Sequence, residues 1–264
     1  MSARIASLGM YDLPAQQGAN DRLWAGIAAA LRASGIADVP DRLDRTRSVQ
    51  AIWRDPALLL GQACGYPLVA DPTLALRVLA FPVYTTGGGS VVVARRDDPR
   101  AALGDFRGAR AAINDRQSNT GMNLFRATLA PIAWEGAVFA SVIETGAHRA
   151  SMAAIVAGEA DITAIDAVTH AALARFEPDL VDALRIVAHS PASPTLPFVT
   201  AAWTDAGTVA ALRQALDRAI ADPGLVDARA TLLLAGIAPG DATALEPLAR
   251  LATDAARAGY AELR

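Results

Sequence analysis

In the stretch INDRQSNTGMNLFRATL (113–129), an apolar run passes through Ser118-Asn119-Thr120-Gly121 into an amphipathic one. Hydroxyl and amide side chains at the start of a helix add donors to its unpaired backbone N–H groups. Glycine lets a ligand approach the backbone, and the positive end of the helix dipole favours an anion. The same residues would equally serve as an ordinary N-cap. His148 opens a second helical pattern directly after Glu144-Thr145-Gly146, where it can donate to an anion or sit as a surface cap. Asp166 closes the strand pattern DITAID (161–166), where it can meet a ligand or cap the next helix. Tyr11, Tyr66 and Tyr84 end short apolar segments. Each offers a flat wall and one hydroxyl to a ligand, or packs as a structural aromatic.

Other chemistries lack their residues. The 24 basic residues are all Arg, so a Schiff-base lysine, a Walker-type phosphate lysine and a lysine general base are excluded. His148, His170 and His189 have no metal-ligand spacing, and Cys64 is the single cysteine. No metal or cofactor site is expected, and no internal disulfide can form. A net charge of -3 gives no footprint for nucleic acid. No GxSxG, GxGxxG or GxxxxGK[ST] motif occurs. TGGGS (86–90) leads into a strand and reads as a tight turn or hinge.

Repeated strand–helix units must position these residues. Strands are expected at 4–10, within 56–68, at 77–84 and 90–95, after a short helix and a Gly turn within 103–115, and at 141–146, 161–166, 184–190 and 198–203. Helices are expected at 20–35, around 49–54, after Gly121, and at 148–158, 167–176 and 208–220. Further helical segments are expected near 223–236 and 241–263. Such alternation predicts mainly parallel sheets with helices on both faces. The punctuated stretches near 85–90 and 189–197 divide the chain into 1–86 plus 195–264, around an inserted 90–189. Two α/β lobes joined by two hinge strands are expected to bind a ligand between them. No apolar run is long enough to span a membrane. The opening MSARIASLGMYD has no apolar leader region, so the chain reads as unexported.

In order along the chain, LGMYD, QACGYPL, SVVVAR with LGDFRGARAAIND, SNTG, ETGAHRASMAAIVAGEADITAID and LRIVAHSPASPTLP resemble the PhnD-like phosphate/phosphonate-binding proteins. These have the type II periplasmic-binding-protein fold, and the resemblance spans residues 4–200. It implies two lobes closing on a small oxyanion held by Ser118, Asn119 and Thr120, with His148 and Asp166 beside them. Aromatic contacts map to Tyr11, Tyr66 and Tyr84. It also implies delivery to an ABC transporter permease and a periplasmic location. Asn119 stands where a hydroxyl residue is common in the family. The principal expectation is a non-enzymatic solute-binding protein. The alternatives are an enzyme on the same fold, with His148 and Asp166 or Glu144 as acid–base groups, and a ligand sensor.

Overall fold

In a computed structural model of the chain, the structure describes residues 4–133 and 137–264. Met1, Ser2 and Ala3 of the opening segment lie outside the described residues. The chain divides into two compact units. Unit 1 comprises residues 1–85 and 194–244, and unit 2 comprises 86–193 and 245–264.

Unit 1 is built on a five-stranded sheet in the order β1-β2-β9-β3-β10. The strands are β1 (Ile5–Ser7), β2 (Leu58–Gln62), β3 (Leu76–Tyr84), β9 (Phe198–Ala201) and β10 (Leu234–Pro239). Every residue of β2 and β9 is buried, as expected for inner strands covered on both faces. Helix α1 (Gln17–Ala33) buries Leu23, Trp24, Ile27 and Leu31 at helical spacing and packs on α8 (Ala206–Ala221). The short helices are α2 (Val49–Trp53), α3 (Gly65–Ala70) and α9 (Val226–Thr231).

Unit 2 has a second five-stranded sheet, in the order β6-β5-β7-β4-β8. Its strands are β4 (Ser90–Arg95), β5 (Arg110–Ile113), β6 (Ser141–Glu144), β7 (Ile162–Asp166) and β8 (Leu184–His189). Strands β5, β6 and β7 run parallel, and β4 runs antiparallel to β7 and β8. The helices are α4 (Leu124–Leu129), α5 (His148–Val156), α6 (Ala167–Phe176), α7 (Pro178–Asp182) and α10 (Glu246–Arg257).

The α/β architecture matches expectation, and four details differ. Both sheets are mixed rather than mainly parallel: β9 and β10 enter the first sheet antiparallel, as β4 enters the second. Alternation of elements does not encode strand direction. The segment after Gln62 turns into α3 instead of continuing as strand, with Pro67 inside its first turn. The helix expected through 236 stops at Thr231, and β10 follows it, paired with β3. Lastly, residues 245–264 belong to unit 2, not to unit 1. Leu248, Tyr260 and Leu263 are buried there. The Leu248 carbonyl accepts from Asn123 Nδ2 at 3.2 Å, and the Arg264 carbonyl accepts from the Val138 N–H at 2.6 Å.

Candidate functional site

The parallel strands β5, β6 and β7 end together at Ile113, Glu144 and Asp166. Parallel strands with intervening helices collect their following loops at one edge, so the residues after each strand become neighbours. Two loop contacts fix that edge: the Thr145 N–H donates to the Ile113 carbonyl and the Gly146 N–H to the Asn114 carbonyl, both at 2.9 Å. Thr145 Oγ1 lies 2.7 Å from Ser151 Oγ and so ties the strand end to the first turns of α5. Gly146 takes φ +83°, a left-handed turn conformation that other residues rarely adopt.

After β5 the chain reaches Ser118 in an extended conformation. Its Oγ caps the next helix by accepting from the Gly121 N–H at 3.0 Å. Residues Asn119–Asn123 then form a wide π-helical turn before α4 continues. Its hydrogen bonds span five residues: the Asn123 N–H donates to the Ser118 carbonyl at 3.0 Å, and the Leu124 N–H to the Asn119 carbonyl. Such turns recur at functional sites, because the extra residue widens the helix and re-aims the backbone. N–H groups of the first turn lack partners within the helix. Ser118, Asn119 and Thr120 are all buried.

His148, the first residue of α5, meets this turn directly. Its Nε2 lies 3.1 Å from Thr120 Oγ1. The Ser90 hydroxyl holds Thr120 from the other side by donating to its carbonyl at 2.7 Å. The fit is tight at Gly121. A Cβ there would come within 1.8 Å of Asn114 Oδ1 and 3.0 Å of His148 Cε1, so any larger residue must push one of these side chains aside. Burial of the imidazole pushes its pKa down to about 4, opposed by the nearby Ala164 backbone. His148 is therefore neutral at pH 7. Its Nδ1 and the Asn114 Oδ1 are both buried without a hydrogen-bond partner.

The other expected residues are placed as follows. Asp166 is buried and caps α6, its Oδ1 accepting from the Thr169 N–H at 2.9 Å. Glu144 is exposed, 3.7 Å from Arg116 Nε. The imidazole thus meets a hydroxyl, that of Thr120. In unit 1, Tyr11 and Tyr84 form an edge-to-face pair with centroids 5.2 Å apart, and Gln62 Nε2 donates to the Tyr84 hydroxyl at 3.0 Å. They line a cavity with Asn20, Leu23 and Phe198 that has room for about one water. Tyr66 is half-buried near the start of α3, outside that lining.

Sequence reasoning missed Ser90, Asn114, Asn123, Arg126 and Ser193. One signal was available. Asn119, Asn123 and Arg126 recur at i, i+4 and i+7, one polar stripe on a helix that also carries Met122, Leu124 and Phe125.

Known proteins of the same architecture can now be set beside this one. The two mixed sheets with their flanking helices define the class of the type II periplasmic binding proteins. XAC2383 from Xanthomonas citri bound to ATP superposes with a TM-score of 0.72 at 18% identity, over 99% of this chain and 100% of that one. A binding-protein component of an ABC phosphonate transporter from Pseudomonas aeruginosa gives 0.74 at 16% identity, over 90% and 82%. PhnD1 from Prochlorococcus marinus in complex with methylphosphonate gives 0.73 at 14% identity, over 90% and 93%. At these identities the likeness establishes the fold. Among curated proteins there is no significant match. The model of the family described as "ABC transporter, phosphonate, periplasmic substrate-binding protein" matches residues 58–244, and the chain belongs to that family. It is a solute-binding protein. Among the described residues, no helix is long and apolar enough to cross a membrane.

Proposed function

We propose that this protein captures a phosphonate or phosphate oxyanion at the Ser118–Gly121 turn of unit 2, as the solute-binding component of an ABC importer. The observation that carries this reading is the contact between Thr120 Oγ1 and His148 Nε2, beside a glycine with no room for a side chain unless its neighbours move. It joins a capped helix N-terminus to a neutral imidazole at the ends of adjacent parallel strands.

The chemistry is that of dipoles rather than full charges. Ser118 Oγ accepts from Gly121, which leaves its own proton for an anion. With its proton on Nε2, His148 donates to Thr120 Oγ1, and the Thr120 hydroxyl proton is then turned to the ligand. Helix N–H groups and the dipole complete the cradle with little rearrangement. Asp166 stands at the end of β7, on the same sheet edge. It suits a ligand carrying a donor, such as a protonated oxyanion oxygen or an amine on the organic substituent. A permease partner and a periplasmic location accord with the family. No acid–base or nucleophilic step is assigned to these residues.

Calorimetric titration with methylphosphonate and with inorganic phosphate tests the reading. Thr120→Ala and His148→Ala should each weaken binding by about 1–3 kcal/mol, the range for hydrogen bonds to a charged group. Absence of binding to either anion, or unchanged affinity in both variants, would refute it.

A further inference from the structure

We propose that Asn119 does not present its side chain to the anion, and that Asn123 and Arg126 are positioning residues that hold it as a strut behind the binding turn. This inference rests on the assignment of the oxyanion to residues 118–121.

Both ends of the Asn119 amide are engaged within unit 2. Its Nδ2 donates to Ser193 Oγ at 2.9 Å, and its Oδ1 accepts from Asn123 Nδ2 at 3.2 Å. Asn123 has no exposed surface and is engaged in turn. Its Nδ2 also donates to the Leu248 carbonyl at 3.2 Å, and its Oδ1 accepts from Arg126 Nη2 at 2.8 Å. Arg126, itself buried, donates through Nη1 to the Ala261 carbonyl at 2.6 Å.

The polarity of this chain has one origin. A guanidinium can only donate, so the Asn123 amide must turn its oxygen toward Arg126 and its nitrogen toward Asn119. The Asn119 amide must then turn its oxygen inward and its nitrogen toward Ser193. Amide orientation, usually ambiguous, is fixed here by a group with a single hydrogen-bonding role. The network runs from the C-terminal segment, through α4, to the first residue of the π-helical turn. It orients the turn that carries Thr120 and Gly121 without touching the ligand. The network gives Asn119 a role that needs both an acceptor and a donor.

The test compares Asn123→Asp, Arg126→Lys and Arg126→Met with the wild-type chain. Asp at 123 keeps the shape and the bond to Arg126, but it cannot donate to Asn119. Lys at 126 keeps the donor-only character, and Met removes it. Methylphosphonate affinity should fall about tenfold or more in Asn123→Asp and Arg126→Met, and stay within about threefold in Arg126→Lys. In the ligand-free protein, hydrogen exchange at the Gly121 and Leu124 amides should accelerate by at least about tenfold in the first two variants, with the β4 amides of Val92 and Val93 unchanged. Wild-type exchange at Gly121 and Leu124 in Asn123→Asp would overturn the strut, as would wild-type affinity. Equal acceleration at Val92 and Val93 would also overturn it, because that is general loosening. If the wild-type chain binds no methylphosphonate, the assignment of the anion site fails, and the exchange arm alone decides the network.

Discussion

Gly121 is the most constrained residue of the site. It lies against the Asn114 side chain, whose own backbone carbonyl is held by the Gly146 N–H at 2.9 Å. Gly121→Ala must therefore displace Asn114 or His148. Overpacking of this kind costs about 1–3 kcal/mol, so the variant should melt earlier and lose the His148 contact with Thr120. Chemical denaturation and ligand titration read the two effects separately. His148 adds a pH signature. Its pKa lies near 4 in the folded protein, below the ordinary 6.5 that it regains on unfolding. Between those values the unfolded chain holds the extra proton, so stability falls as pH drops from about 6.5 to about 4. The slope from this group approaches about 1.4 kcal/mol per pH unit. Denaturation midpoints across that range should show the slope in the wild type and a flatter profile in His148→Gln. At this scale Ser118, Thr120, His148 and Asp166 were legible, because residue type and position after a strand point to them. The partners were not. Only the fold shows that the His148 imidazole faces Thr120 rather than Asp166, and that the Asn119 side chain turns toward Asn123.

The π-helical turn and the caps act one scale higher. Ser118 caps the π-helical turn that leads into α4, and Ser48 caps α2 of unit 1 in the same way, accepting from the Ala51 N–H at 3.2 Å. Loss of either hydroxyl should cost about 0.5–1 kcal/mol of stability, a usual figure for a serine N-cap. The two variants part on function. Ser118→Ala should also weaken methylphosphonate binding, whereas Ser48→Ala should leave it unchanged, as stability and titration measurements on each will show. Strong periodic elements such as α1 and α8 were readable from their apolar stripes. The π turn was not, since hydroxyl and amide residues before a helix suit an ordinary N-cap equally well. The replacement of helix by β10 after Thr231 was also hidden. Its apolar run LLLAGIAP (232–239) fits helix or strand, and only pairing with β3 decides between them.

At the scale of the whole chain, the sequence reading placed the outline of each unit but not the last twenty residues. A helix was expected within 241–263, and pattern could not show which unit offers the apolar surface that α10 covers. The buried Leu248, Tyr260 and Leu263, together with the carbonyls of Leu248 and Ala261, place this segment against α4 and the π-helical turn of unit 2. Removal of residues 245–264 should therefore uncover the side chain of Asn123 and abolish methylphosphonate binding, while α1 and the first sheet of unit 1 keep their slow amide exchange. If the ligand is held on neutral dipoles as proposed, binding should depend only weakly on ionic strength, which titrations across a salt series will show.

The central claim is that a phosphonate or phosphate oxyanion sits at the Ser118–Gly121 turn. A methylphosphonate titration of the isotope-labelled wild-type chain, followed by amide NMR, tests it most directly. The account predicts saturable shifts that are largest at Asn119, Thr120 and Gly121 and at His148, and that are lost in Thr120→Ala. Saturable shifts confined to other residues, or no shifts at all, would contradict it.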